Sequence, residues 1–367
     1  MSERLPIDVF CEKKIPTLQK SYNGLIDYVD ISSVDNIEKK IVSFQTVPAA
    51  EAPSRAKQLL KKGDIIVSTV RPNLNAVALV EAETENLMVG STGYCVLRCK
   101  ETMDARYLFN FCQSQYFIDD MTAQATGASY PAVSNSIVRN STIPVCSIDQ
   151  QREISDKIDI ASQLIAYRKQ QLVELDNLVK SRFIELFGDP ETNPKGLKIV
   201  ALSEIAEYYN GLTYSPDDVA ENGTVVLRSS NIQNSRLDFA DIVRVACPIK
   251  DKFFVKENDI LMCSRNGSAK LVGKVALINN LQEPMSFGAF MMIIRSNYYP
   301  YLQTYFQMDA FRRQIKTGAT TTINQITGNM MGKIMLPLPD EASVQQFAAF
   351  VEHTDKLKFY DSLEVAA

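Results

Sequence analysis

Six segments of this chain recur in the same order at an offset of roughly 190 to 195 residues, and that duplication limits the possible folds more than any other feature. The apolar run in KGDIIVSTVRPN, Ile65-Ile66-Val67, returns in NDILMCSRNGS as Ile260-Leu261-Met262, each passing straight into hydrogen-bonding side chains. RPNLNAVALVEAE then answers to KLVGKVALINN, and STGYCVLRCK to SFGAFMMIIRS. Helical segments follow, ARYLFNFCQSQYFIDDM and YLQTYFQMDAFRRQI, and each leads into a polar loop opening Gly-Ala, GASYPAVSNSI and GATTTINQI. A short strand with proline, STIPVCSIDQQ or IMLPLPDEASVQQ, closes each copy before a new helix begins. The framework repeats while SSVDNIEKKIVSFQTVPAAEAPSRA and SSNIQNSRLDFADIVRVACPIK differ. Two related modules therefore present different polar segments, or their surface loops have simply drifted.

Between the copies, Ser147 and Gln150 form a capping-box pattern. From there Ile154, Ile158, Ala161, Ile165, Leu172, Leu175, Val179 and Leu186 follow a 4,3 spacing broken only by Arg168 and Arg182, with Leu164, Leu178 and Phe183 widening the stripe. The spacing predicts one heptad helix from about Asp149 to about Phe187, roughly 57 Å long, stopped by Gly188 and Pro190. Such a helix overshoots a domain of about 150 residues, whose diameter is roughly 35 to 40 Å, so it requires a partner helix. The segment from Asp340 offers one through Val344, Phe347, Ala348, Val351 and Leu357, but it ends after about 20 to 23 residues. It can pair antiparallel over about half of the first helix. The stripe near Leu172 to Leu186 is then expected to need another cover.

A chain of 367 residues suits two domains. Its seven cysteines are scattered without a CxxC pair, and its one histidine, His353, reads as a helix-surface residue. Imidazole-based metal and nucleophilic catalysis lose their usual residue. No apolar run approaches the roughly 20 residues of a membrane span, so a cytoplasmic chain with no membrane partner is expected. The net charge is −4, yet cations cluster locally at Arg55, Lys57, Lys61, Lys62 and Arg71, at Arg265, Lys270 and Lys274, and at Arg312, Arg313 and Lys316.

YVDISSVD, APSRA, KKGDIIVSTVRPN, the IP-x-x-x-x-x-QQ-x-x-I passage, ELFGDPETNPKG and GLTYS…LRSSNI…NDILMCSRNGSAKLVGKVALI together resemble the specificity subunit of type I restriction-modification systems. The resemblance covers nearly the whole chain. It implies an α/β (α+β) fold with two tandem mixed-sheet and helix target recognition domains separated by long antiparallel coiled-coil helices. The boundaries would be 1–146, 147–188 for the central helix, 189–338, and 339–367 for a shorter C-terminal helix. It further implies a subunit that catalyses nothing and takes no cofactor. Each domain would read one half of a bipartite double-stranded DNA site, while the helices set the spacer and dock two methyltransferase subunits, with restriction motor subunits joining. No Walker A sequence or Asn-Pro-Pro-aromatic methylation motif stands against this. The second helix departs from the family by stopping early. The first copy departs too, since the residues before YVDISSVD match KIVALSEIAEYYNGLTYS poorly.

In a DNA reader, arginine favours guanine edges and Asn or Gln adenine edges. The expected reading set in the first copy is Ser68, Thr69, Arg71, Asn73 and Asn75 with Ser129, Tyr130, Ser134 and Asn135. In the second it is Ser264, Arg265, Asn266 and Ser268 with Thr320, Thr321, Thr322, Asn324 and Gln325, joined by Arg228, Ser229, Ser230 and Asn231. Lys61, Lys62, Lys270 and Lys274 are expected at phosphates, which position without specifying. Leu172, Leu175, Val179 and Phe183 are the expected methyltransferase surface. A different class of function is a duplicated scaffold that binds no DNA and oligomerises through its coiled coil.

Overall fold

The computed structural model describes residues 3–81, 84–127, 129–316 and 324–364. The chain divides into two compact units, Met1–Tyr167 and Arg168–Ala367, and the boundary falls inside the helix Ile148–Phe187. In the first unit Ile65–Ser68 lies between Tyr94–Leu97 and Val77–Leu79, antiparallel to both. A second sheet sets Leu25–Val29 antiparallel to Gln45–Pro48 and parallel to Leu87–Ser91, with Ala56–Leu59 at the far edge. The second unit repeats the first sheet with Ile260–Cys263 between Met291–Arg295 and Val275–Leu277, and adds Glu207–Asn210 outside. It repeats the parallel pair with Val219–Leu227 beside Met285–Phe287.

The apolar runs are continuous because both faces of these strands are covered. Successive side chains on a strand alternate between faces. Ile65 and Val67 enter one apolar cluster, Ile66 another. Ile260 and Met262 likewise separate from Leu261 and Cys263. Each run also carries one buried acid. Asp64 is 0 % and Asp259 1 % exposed, and each is gripped bidentately by the arginine that ends a neighbouring strand segment, Arg98 at 2.8 and 2.7 Å and Arg295 at 2.7 and 2.6 Å. The Lys61 and Lys256 amides donate to the same carboxylates. The arginines closing STGYCVLR and SFGAFMMIIR are thus part of the frame.

The opening residues, which the sequence left without a counterpart, have one. Arg4–Pro6 pairs with Thr142–Pro144 just as Ile199–Ala201 pairs with Met335–Pro337, and a short helix follows each, Ile7–Phe10 and Leu202–Ile205. Ile7 donates its amide to Ser141 and Leu202 to Ile334, both at 2.9 Å. The apolar matches are few, Leu5/Val200, Ile7/Leu202, Phe10/Ile205 and Cys11/Ala206, too few to show the equivalence in the sequence.

The central helix opens on the expected capping box, Ser147 Oγ accepting from the Gln150 amide and Gln150 Oε1 from the Ser147 amide. At its end Gly188 takes the left-handed conformation (φ 80°), and Lys195 Nζ covers the Glu185 and Leu186 carbonyls. Within the second unit the helix Glu341–Glu364 runs antiparallel to it. Phe347 packs on Phe183 and Phe187 near one end, and Arg168 reaches the Leu357 and Lys358 carbonyls at the other. This corrects the expected gap in cover. An antiparallel partner that starts beside Phe187 covers the C-terminal half of the stripe, so Phe183 is fully buried and Val179 packs on the core, while Leu172 and Leu175 are half-buried. The open apolar residues include Ile158, Leu164, Ile165 and Tyr167, the last three 55 to 63 % exposed.

Candidate nucleic-acid interface

Each central strand ends on a hydroxyl that locks the chain as it leaves the sheet. The Thr69 amide and Oγ1 both donate to the Gly93 carbonyl at 2.9 Å, and the Thr69 carbonyl accepts from Val133. Ser264 repeats the arrangement: its amide and Oγ donate to the Phe290 carbonyl at 2.9 and 3.0 Å, and its carbonyl accepts from Ile326. One residue earlier, Ser68 Oγ donates to the Val70 carbonyl and Cys263 Sγ to the Arg265 carbonyl. Thr69 therefore corresponds to Ser264, and Arg71 to Asn266 rather than to Arg265.

Several expected base-reading side chains are consequently turned inward. Ser68, Thr69 and Ser264 are buried in these locks, and Asn210 Nδ2 also donates to Ser264. Asn75 is buried, donating to the Cys112 carbonyl and accepting from Lys39. Asn231, 1 % exposed, accepts from the Arg228 amide and donates to the Asp238 and Asp241 carbonyls. Polar types at a strand end serve to satisfy backbone groups as readily as to meet a ligand. Ser134 caps the helix Asn135–Asn140 through the Ile137 amide.

What remains outside forms one compact group in each unit. In the first, Arg71 sits in the left-handed region (φ 50°) with its amide on the Pro131 carbonyl at 2.7 Å. Its guanidinium lies 5.0 Å from the ring centroid of Tyr130, which is 69 % exposed. Asn73, Ser129 and Asn135 are exposed on the neighbouring segments, as are Lys61 and Lys62 elsewhere in the unit. In the second, Arg265 lies 5.2 Å from the centroid of Phe290, itself 59 % exposed, and pairs across a single bridge with exposed Gln325. Asn266 is half-buried, bonding Ser229 Oγ and the Ser268 amide, and Asn324 holds the Gly267 carbonyl. Ser268 and Lys270 are exposed and Lys274 half-buried. Beside them Arg228 pairs with Asp241 at 2.7 Å, while its Nε and the Ser230 Oγ are buried with no hydrogen-bond partner among the described residues. Thr320, Thr321 and Thr322 lie outside the described residues.

A guanidinium over an aromatic face gains about 0.5–1 kcal/mol at exposed sites and is restricted in its orientation. The two aromatics come from different places, Tyr130 from the Gly-Ala loop and Phe290 from the turn at Gly93's position. Phe290 was not among the residues expected from the sequence. Its signal was the large aromatic in SFGAF where the first copy has glycine and the rest of the frame matches.

The profile of the type I restriction modification DNA specificity domain matches residues 7–177 and again residues 194–359. The type I restriction enzyme EcoKI specificity subunit of Escherichia coli (strain K12) is 20% identical over 364 residues, 92% of this chain and 77% of that protein. The StySPI specificity subunit of Salmonella potsdam is 27% identical over 158 residues, 41% of this chain and 34% of its own length. Among solved structures, one described as the structural basis of complex assembly and conformational transition of the type I R-M system aligns with a TM-score of 0.61 at 23% identity, covering 99% of this chain and 92% of that one. The type I restriction-modification S subunit from M. genitalium aligns at 0.56 with 15% identity, covering 100% and 92%.

Proposed function

Because the chain belongs to the family of type I restriction modification DNA specificity domains and carries two copies, we propose that each unit reads one half of a bipartite duplex DNA site. A specificity subunit recognises DNA and leaves catalysis to other subunits of its complex. Supporting the finer reading is one observation above the rest: in both copies, within two residues of the locked strand end, an exposed arginine lies against an exposed aromatic ring, although neither the arginines nor the rings are equivalent positions. Arg71 with Asn73 and Tyr130, and Arg265 with Gln325 and Ser268, are the side chains assigned to base edges. Lys61, Lys62 and Lys270 are assigned to phosphates.

Two measurements test this. Arg265→Ala, assembled with its methyltransferase, is expected to weaken cognate binding by about 1–3 kcal/mol and to relax preference in one half-site of a randomised-site selection. A uniform loss across sequences, with a shallower salt dependence, would instead make Arg265 a phosphate contact. Retention of no duplex at low salt by the assembled complex would favour the scaffold that binds no DNA.

The methyltransferase is assigned to the open stretch of the central helix, at Ile158, Leu164, Ile165 and Tyr167 around its circumference, because exposed apolar side chains concentrated on one element mark an interaction surface. Leu164→Asp combined with Ile165→Asp is expected to abolish co-purification of the methyltransferase with no change in melting temperature. Co-purification at the unaltered level would remove this stretch from consideration.

A further inference from the structure

The two frames differ at one position that carries chemistry. Cys11 and Cys99 face each other as an isolated antiparallel bridge, framed by the Glu12 amide on the Arg98 carbonyl at 2.8 Å and the Lys100 amide on the Phe10 carbonyl at 2.9 Å. Bonds on both flanks and none between the two residues define a non-hydrogen-bonded pair, in which Cα atoms stand about 4.5 Å apart with side chains on one face. A disulfide spans Cα separations of roughly 4.4–6.8 Å, so little backbone movement is needed. The two thiols titrate as a pair, each being the chief influence on the other, and Arg139 favours loss of the first proton from it.

Access is asymmetric. Cys11 is fully buried, whereas Cys99 is partly open to solvent. Nearby Cys95, opposite Val67 on its strand, and Cys112, on the helix Ala105–Gln113, are buried where the reagent does not reach them, which makes them poor competitors. The second copy shows that the fold does not require sulfur here. Its ladder ends at Glu207↔Arg295, so the positions equivalent to Cys11 and Cys99 are Ala206 and Ser296, and Ser296 Oγ simply bonds the Ile205 carbonyl at 2.6 Å.

We propose that Cys11 and Cys99 form an oxidative modification site that takes a small-molecule disulfide of the glutathione type and becomes an intramolecular cross-link, pinning the N-terminal segment of the first unit to the chain beyond Tyr94–Leu97. The first exchange occurs at Cys99, the sulfur that solvent reaches. Its S–H proton is lost, its sulfur bonds one sulfur of the reagent, and the other leaves as a thiol after taking up a proton. Cys11 then attacks the Cys99 sulfur, forming the protein disulfide and releasing the second small thiol, again with transfer of one proton. Two protein thiols are oxidised and one reagent disulfide is reduced to two thiols. Partial exposure of Cys99 leaves the cross-link open to reversal by the same route.

The test treats the full-length native chain with oxidised glutathione, blocks remaining thiols by alkylation, and maps peptides by mass spectrometry. The expected product joins the Cys11 and Cys99 peptides, two hydrogens lighter than their sum and at least about tenfold more abundant than any other cysteine pair. Its melting temperature should exceed that of the reduced chain and return with dithiothreitol, because a cross-link restricts the unfolded state. Cys11→Ala and Cys99→Ser, which install the residues of the second copy, should fold and show neither the link nor the shift. Accumulation of a stable glutathione adduct at Cys99, a dominant link to Cys95 or Cys112, or an oxidised chain that melts below the reduced one would each overturn the proposal.

Discussion

Replacing Phe183 by alanine is expected to destabilise the second unit by about 3–5 kcal/mol, the usual cost of emptying an aromatic site in a packed core. The side chain is fully buried, stacked on Tyr301 with centroids 5.0 Å apart and set edge-on to Phe187 and Phe347. A helix predicted from its heptads as a surface for partners is at this point a wall of the core. In a unit of this size the loss corresponds to a fall in melting temperature on the order of 10 °C, measurable by far-ultraviolet circular dichroism. Val173→Ala, at a residue 59 % exposed on the same helix, is the control and should change little. If both variants melt together, Phe183 is not part of the core.

Arg295→Met is expected to cost about 2–4 kcal/mol, somewhat below the range for breaking a fully buried ion pair because Arg295 retains some exposure. The variant leaves the Asp259 carboxylate, 1 % exposed, without its bidentate partner. A second change, Asp259→Leu, removes the stranded charge and should restore part of the loss, since desolvating an unpaired ion costs more than the pair contributes. The duplicated frame supplies a matched experiment. Arg98→Met should lower hydrogen-exchange protection within Met1–Tyr167, and Arg295→Met within Arg168–Ala367. Equal loss in both units from either change would mean that the clamps are not local.

The duplication and the helices were legible because their signals are long and periodic. Ile65-Ile66-Val67 and Ile260-Leu261-Met262 had to be strands covered on both faces, and the heptads of Ile148–Phe187 had to form one helix. Three things were not legible. Which strand-end hydroxyls are equivalent was hidden, because Ser68 and Ser264 look alike as letters whereas the locking hydroxyls belong to Thr69 and Ser264. The half of the central helix that its partner covers depends on where an antiparallel helix starts, which heptads do not encode. Finally, composition does not separate a strand-end side chain that bonds its own backbone from one that faces solvent. Asn75 and Asn73 are two residues apart, one buried and the other exposed.

The hydroxyl lock at Thr69 and Ser264 has a consequence for how such a chain can change over generations. It needs one small side chain, plus an amide and a carbonyl that almost any residue provides. The exposed side chains beyond it, Arg71 and Asn73 in one copy and Arg265 and Ser268 in the other, have no part in the buried clusters. Those positions can be rewritten one at a time without melting the scaffold. If they do hold the address on DNA, a lineage carrying this gene can acquire a new address by single substitutions while keeping the same folded body.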